Sequence, residues 1–188
     1  MAITAFLPGI RYVGVNDRTT HLFEGLWSLP QGVSYNAYLV IGEKIALIDT
    51  VEEAFGSRLF QHIREEIGDR RIDYLVVNHM EPDHSSSIAA LRQLYPDITI
   101  VGNAKTLQMI AGYYGICDGT LEVKEGDTLD LGGKTLTFQL VPMVHWPETM
   151  VTWCAEEQTL FSGDAFGTFG ALDGGITDSQ VDADRYWN

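Results

Sequence analysis

The residues best placed to do chemistry are four potential metal ligands in the short segment 79–84, namely His79, Glu81, Asp83 and His84. The segment directly follows the apolar run 74–77, so its donors lie where a buried strand ends. Neutral imidazole and carboxylate together are the ligands expected for iron, manganese or zinc in a catalytic site, whereas soft structural sites carry cysteines. The sequence therefore predicts a metal site at this strand end.

Two further candidate ligands also follow predicted strands, since His145 comes after the run 136–141 and Asp164 after the run 159–163. Alternate residues of a strand share one face, but this regularity breaks at a strand-to-helix turn, so the donors of segment 79–84 can converge from two sides. The pattern permits two adjacent metals, with the two oxygens of Asp164 able to bridge them.

Within segment 79–84 the first pair of donors, His79 and Glu81, would face one metal, and the second pair, Asp83 and His84, would face the other. The plain alternative is a solvated acidic turn that happens to contain two histidines. Three of the five histidines lie at strand ends beside carboxylates, which favours the metal site. The other two, His21 and His62, are interpreted as ordinary polar residues.

The composition limits the kinds of protein this chain can be. It has 188 residues, enough for one well-buried domain, with 45% hydrophobic and 20% charged residues. The formal net charge of −14 disfavours nucleic-acid binding, because an acidic surface repels phosphate. No apolar run approaches the roughly 20 residues needed to cross a bilayer, and the start of the chain lacks the features of a secretory signal. Two unpaired cysteines fit a reducing cytoplasm.

The elements predicted around the candidate ligands are helices over 52–67, 88–94 and 104–114, with Ser85, Ser86 and Ser87 as N-cap candidates for the second helix. Strands are predicted over 10–15, 33–41, 45–49, 72–77, 98–101, 121–124, 128–131, 135–141, 149–155 and 159–161. Strands in blocks, with helices between some of them, predict an α+β fold of two sheets packed face to face with helices outside. After Asp164 a long loop is expected, followed by the start of a helix within 181–188.

Other chemistries find little support in the sequence. There is no phosphate-binding glycine loop, no dinucleotide fingerprint and no nucleophile elbow. Neither Cys117 nor Cys154 has an obvious neighbouring base. Asp49, at the end of a predicted buried strand, is interpreted as a hydrogen-bonding support for the ligand loop, because carboxylates of this kind orient metal ligands. Trp146 and Phe166 are expected to form a dry wall beside the metals.

At these residues the chain resembles the metallo-β-lactamase superfamily, and within it the lactamase-like domain of the flavodiiron proteins, also called A-type flavoproteins. Hydrolases of the superfamily typically show H-x-H-x-D-H, but segment 79–84 reads H-x-E-x-D-H. A carboxylate in place of an imidazole hardens the site and favours iron over zinc. The resemblance extends through the segments 34–39, 47–50, 145–150 and 161–167.

The resemblance implies a diiron oxidoreductase with an αββα sandwich, reducing O2 to water or nitric oxide to nitrous oxide with electrons from FMN. It assigns His79, Glu81 and His145 to the iron nearer the flavin, Asp83 and His84 to the other, and Asp164 to the bridge. No catalytic residue beyond these ligands is expected. The implied partners are an electron donor such as rubredoxin or a flavin reductase, and copies of the chain in a homodimer or homotetramer.

Two features of the family have no counterpart in the sequence, namely a further histidine ligand downstream of the bridging aspartate and an FMN-binding flavodoxin-like domain. The resemblance therefore assigns 1–188 to the diiron domain alone, as an N-terminal fragment with an incomplete sandwich that does not itself bind FMN. Two alternatives stay open: a zinc-dependent hydrolase of the same superfamily, which Glu81 disfavours, and a non-catalytic fragment that binds about one metal.

Overall fold

The computed structural model of the chain describes residues 7–173, 175–177 and 180. The helices are α1 (Gly56–Ile67), α2 (Pro82–Ser85), α3 (Ile88–Leu94) and α4 (Ala104–Tyr114), with a 3-10 turn at Glu53–Phe55. The strands are β1 (Ile10–Tyr12), β2 (Val15–Asp17), β3 (Leu22–Phe23), β4 (Trp27–Ser28), β5 (Val33–Tyr35), β6 (Tyr38–Ile41), β7 (Ile45–Ile48), β8 (Tyr74–Val76), β9 (Thr99–Gly102), β10 (Thr120–Glu122), β11 (Thr128–Asp130), β12 (Thr135–Leu140), β13 (Met150–Cys154) and β14 (Thr159–Phe161). The helix expected within 181–188 lies outside the described residues.

Two main sheets form the frame of the molecule. The first has six strands in the order β1-β6-β7-β8-β9-β10, and its pairs from β7 to β10 are parallel. The second is an antiparallel meander of four strands, β11 to β14. Two small two-stranded sheets, β2-β5 and β3-β4, complete the strand pairing among the described residues. The prediction of two large sheets is confirmed.

The six-stranded sheet is buried on both faces, and strand β7 illustrates this. Its residues Ile45 and Leu47 belong to the core between the sheet and the helices, whereas Ala46 and Ile48 belong to the core between the two sheets. Because successive side chains of a strand point to opposite faces, a strand that is apolar at every position must lie in a central layer. The continuous apolar run of β7 therefore follows from its place between helices and the second sheet.

Helices α1, α3 and α4 each contribute one apolar face to the outer core. In α1 the buried side chains Leu59, Ile63 and Ile67 recur every four residues, so they form one stripe facing the sheet. The N-cap of α4 is Asn103, whose side-chain oxygen accepts hydrogen bonds from the backbone N–H groups of Lys105 and Thr106. The C-cap is Gly115, which adopts the left-handed conformation that favours glycine.

Two predicted strands and one predicted helix cap differ from the structure. The predicted strands 10–15 and 33–41 are each broken in the middle, and the backbone N–H of Val13 donates to the carbonyl of Ala37 between the two breaks. Each half therefore pairs in a different sheet, which the uniform β-branched and aromatic composition does not reveal. Ser87 precedes α3 as expected, but its hydroxyl donates to the carbonyl of Val51 instead of capping the helix.

The described helices pack on the outer face of the six-stranded sheet, and the four-stranded sheet packs on its inner face. These are three consecutive layers of the expected αββα sandwich. On the far face of the four-stranded sheet, Trp153 and Leu160 are partly exposed. None of the described helices has the length and hydropathy that crossing a membrane requires.

The inter-sheet core yields a stability prediction. Phe138 is fully buried between the two sheets, whereas Leu160 is 44% exposed on the far face of the same meander. We expect Phe138→Ala to lower the free energy of unfolding by about 3–5 kcal/mol, because it removes apolar contacts and leaves a cavity. Leu160→Ala, the control, should cost under about 1.5 kcal/mol because less apolar area is lost. Denaturant unfolding of both variants measures this; equal costs would contradict the two-layer packing.

Candidate metal centre

All six predicted ligands lie at one edge of the paired sheets. His79 follows the carboxyl end of β8, and Asp83 and His84 lie in the short helix α2 that comes next. His145 lies in the loop between β12 and β13, and Asp164 follows β14. The sheets therefore bring together residues up to 85 positions apart in sequence, as expected for donors at the same ends of neighbouring strands.

Four of the six residues form a compact group with one donor atom each, all within 4.8 Å of one another; they are His79, Glu81, His145 and Asp164. His145 Nε2 lies 2.8 Å from Glu81 Oε2, 3.2 Å from Asp164 Oδ2 and 3.3 Å from His79 Nε2. His79 Nε2 lies 3.1 Å from Glu81 Oε2. Donors bound at about 2.0–2.2 Å to one ion are about 3.0–3.6 Å apart. Three of these four distances lie in that range and the fourth is slightly shorter, so the residues fit a metal ion.

The remaining two candidates lie beside this group, on the other side of Asp164. His84 Nε2 is 2.8 Å from Asp164 Oδ1 and 3.5 Å from Asp83 Oδ2. Asp83 Oδ1 is buried without a hydrogen-bond partner among the described residues. Asp164 thus directs one oxygen at the compact group and the other at His84, which is the arrangement that a bridging carboxylate requires. This second set is smaller than the first, with three protein donors.

Burial differs sharply across the candidate ligands. His79 and Glu81 are buried, and so is His84, whereas the side chain of His145 is 54% exposed and that of Asp164 is 34% exposed. The site is therefore open on the side formed by the second sheet and closed on the side formed by the first.

The histidine and carboxylate pKa values reflect their mutual contacts. Burial alone would lower the pKa of His79, but the hydrogen bonds to Glu148 and Glu81 outweigh it and raise this pKa to about 9. Burial would also lower the pKa of His84, and the contact with Asp164 raises it to about 10. Burial raises the pKa of Asp164, yet His84 brings it down to about 2. The carboxylates thus stabilise positive charge at this point, as a cation site requires.

Asp49 supports the ligand segment through a hydrogen bond to the backbone directly before it. Its Oδ1 accepts a 2.7 Å hydrogen bond from the backbone N–H of Asn78, the residue before His79, which confirms the predicted supporting role. Asp49 has a φ of 56°, a region that costs free energy for a non-glycine residue and so indicates that the surroundings hold it there. Burial raises the pKa of this carboxyl to about 6.

Sequence reasoning missed the role of Glu148. Its Oε1 lies 2.9 Å from His79 Nδ1 and accepts a 2.9 Å hydrogen bond from the backbone N–H of Met80. Its backbone carbonyl accepts from the side chain of Asn103 at 2.6 Å. The available signal was its position three residues after His145, but a carboxylate there could equally be a ligand or a surface group, and only the geometry distinguishes these.

The predicted wall of aromatic rings is half correct. The Trp146 ring contacts the His79 imidazole edge-on, with ring centroids 5.3 Å apart. Phe166 was predicted to do the same but is 95% exposed, so its part of the prediction is wrong. Of the two predicted rings, Trp146 is therefore the one that contacts candidate ligands, His79 and His145.

The sequence profile of the family described as "ODP family beta lactamase" matches residues 33–184. The chain belongs to this family. Among its curated relatives, a nitric oxide reductase of Moorella thermoacetica is 38% identical over 181 residues, which are 95% of this chain and 45% of that protein. An anaerobic nitric oxide reductase flavorubredoxin of Vibrio vulnificus is 38% identical over 161 residues, covering 84% of this chain and 33% of the relative.

Solved structures agree with this membership of the ODP family. The flavodiiron protein from Giardia intestinalis matches with a TM-score of 0.90 and 32% identity, over 97% of this chain and 44% of that one. The rubredoxin oxygen:oxidoreductase from Desulfovibrio gigas matches with a TM-score of 0.90 and 34% identity, over 97% and 46%. The fold is that of the N-terminal metallo-β-lactamase-like domain of flavodiiron proteins, and the chain spans less than half the length of these relatives.

The compact group yields a direct test of the site in this ODP family member. We expect His79→Ala to weaken Zn²⁺ binding by at least about tenfold, because it removes a buried donor from the more complete set of four. The exposed His21 lies outside the described cluster, so His21→Ala is a matched control and should bind as the wild type does. Competition titration with a chelator measures both; equal affinity in the two variants would contradict the assignment of His79.

Proposed function

We propose that this chain is the metal-binding, oxygen- or nitric-oxide-reducing domain of a diiron oxidoreductase. One metal would be held by His79, Glu81, His145 and Asp164, and the second by Asp83, His84 and Asp164. The observation that carries the proposal is the orientation of Asp164, whose Oδ2 faces His145 at 3.2 Å while its Oδ1 faces His84 at 2.8 Å. A single carboxylate between two donor sets supports two adjacent ions rather than one.

The donor chemistry supports iron as the metal. The two sets contain three imidazoles and three carboxylates and no thiolate, and Glu81 lies where the superfamily's hydrolases carry a histidine. Carboxylate oxygens are harder donors than imidazole nitrogens. A set with this many carboxylates therefore suits iron, whereas a set richer in histidine would suit zinc. The relatives named for nitric oxide reduction and for rubredoxin-linked oxygen reduction point to the same redox class.

The chain's own side chains would hold and orient the metals and control access to them. When bound, the iron pair would supply electrons to the diatomic molecule. His79 and Glu81 would hold their ion from the buried side, where the edge-on contact of Trp146 with His79 limits the access of water. His145 and Asp164 form the open side, through which O2 or nitric oxide would enter.

The electrons would come from outside the residues described here. We propose FMN as the immediate donor and rubredoxin or a flavin reductase as the donor to FMN. The names flavorubredoxin and rubredoxin oxygen:oxidoreductase, given to similar proteins, support a flavin and rubredoxin in these roles. We further propose that the working protein is a homodimer or homotetramer in the cytoplasm. The two free cysteines, of which Cys154 is buried and Cys117 exposed, fit a reducing compartment.

The first experiment is anaerobic reconstitution with Fe²⁺ followed by elemental analysis and absorption spectroscopy. We expect iron in near two-per-chain amounts and a ferric absorption that bleaches with reductant. Asp164→Asn should lower the iron content toward one per chain, since one amide oxygen cannot serve both donor sets. Zinc uptake without iron uptake, together with hydrolysis of thioester, phosphodiester or lactam substrates, would instead establish the hydrolase.

A second variant tests the role of Glu81 in metal choice. Glu81→His restores the superfamily's hydrolase pattern at this position, so we expect the preference of the site to shift from iron toward zinc. The measurement is the iron-to-zinc ratio after incubation with equal amounts of both ions under anaerobic conditions. Glu122→Gln, on an exposed residue of β10, is the control and should leave the ratio unchanged. An unchanged ratio in Glu81→His would show that this carboxylate does not select the metal.

A further inference from the structure

Glu148 is a buried carboxylate that the mechanism above does not use. Its side chain is 0% exposed, and among the ion pairs of the described residues its partner is His79. Among the described residues this carboxylate forms no ion pair with lysine or arginine, and its Oε2 has no hydrogen-bond partner. Burying a carboxylate is costly, and the hydrogen bonds that offset this cost, from His79 and from the backbone N–H of Met80, both go to one oxygen.

That oxygen, Oε1, lies 2.9 Å from His79 Nδ1 and also accepts a hydrogen bond from the backbone N–H of Met80. A carboxylate oxygen that already accepts from a backbone donor can only accept from the imidazole, so Nδ1 must carry the proton. The ring orientation then leaves Nε2 facing Glu81 and His145 in the compact group. The backbone bond fixes Oε1 relative to the ligand segment, so the ring has one preferred orientation.

His84, in the other donor set, lacks such a partner: its Nδ1 is buried and has no hydrogen-bond partner among the described residues. The two donor sets therefore differ in preorganisation. In one set the ring of His79 is oriented by a hydrogen bond from its Nδ1 to a carboxylate, and in the other the ring of His84 is not.

We propose that Glu148 is a positioning residue that holds the Nδ1 proton of His79, directs Nε2 at the metal and thereby makes the four-donor set the first to load. The inference rests on the metal centre proposed above. It assigns a role to a residue that binds no metal itself. The carboxylate also raises the electron density of the ring, which strengthens Nε2 as a donor to a cation.

The test combines an NMR signature with metal affinity, in the variants Glu148→Gln and Glu148→Ala. In the wild type we expect a downfield, slowly exchanging Nδ1–H resonance of His79 with or without metal. The hydrogen bond to Glu148 shifts this resonance downfield and protects the proton from exchange with solvent. Glu148→Gln keeps an oxygen acceptor at this position and should retain the resonance. Glu148→Ala should lose it. Zn²⁺ affinity at the first site should fall about 10–100-fold in Glu148→Ala and by a smaller factor in Glu148→Gln.

Several outcomes would overturn the proposal. One is a Glu148→Ala chain that keeps the Nδ1–H resonance or binds the first Zn²⁺ as tightly as the wild type. If Glu148→Ala does not fold, wild-type affinity in Glu148→Gln decides against it. Glu122→Gln controls for the loss of one negative charge elsewhere. Should the wild type bind no metal, the proposed function fails, while the NMR comparison still decides the role of Glu148.

Discussion

Asn78 is the residue on which the arrangement of the site depends. Its backbone N–H donates to Asp49 at the end of β7, while its side-chain amide donates to the carbonyl of Phe161 at the end of β14. Its side-chain oxygen accepts from the hydroxyl of Thr152 at 2.7 Å, and its carbonyl accepts from the backbone N–H of Met150. One fully buried residue thus joins both sheets at the edge where the ligands meet.

These bonds matter because sheet packing alone does not fix the relative position of two sheets. The inter-sheet core is made of apolar side chains, whose attraction is non-directional. Hydrogen bonds from one buried amide are directional, and leaving any of them unmade would cost about 1–3 kcal/mol. Since His79 is the next residue and Asp164 follows Phe161 by three positions, the Asn78 bonds set the spacing between donors from different sheets.

The charges of the site form a second constraint on the fold. The carboxylates of Asp49, Glu81, Asp83, Glu148 and Asp164 lie around three histidines, and the ion pairs of this group among the described residues each join a carboxylate to a histidine. Such an excess of negative charge opposes folding unless a cation offsets it. A cluster of charges that opposes folding is typical of a functional site, and functional sites are where perturbed pKa values concentrate.

Much of this could be predicted from sequence, and the limits have physical reasons. Ligand types and their places at strand ends are visible because each lies beside an apolar run, as with Asp164 after β14. Asp49 could be predicted as a supporting group because it ends a buried strand. Glu148 and Asn78 could not, because they act through contacts between segments that are remote in sequence. The breaks near Val13 and Ala37 were missed because a strand that changes sheets keeps the composition of a continuous one. The exposure of Phe166 was missed because residue type and closeness to a ligand in sequence do not specify where a loop side chain points.

Because the ligands differ in burial, different residues would determine how tightly an ion is held and how quickly it exchanges. His79, at 0% exposure, cannot rotate away without opening the core, so its contribution to binding is permanent on the timescale of exchange. His145, with half its side chain in solvent, can swing outward by rotating its own side chain. Release of an ion would then begin at His145, and the rate of exchange would be set by one surface side chain while the buried partners set the equilibrium.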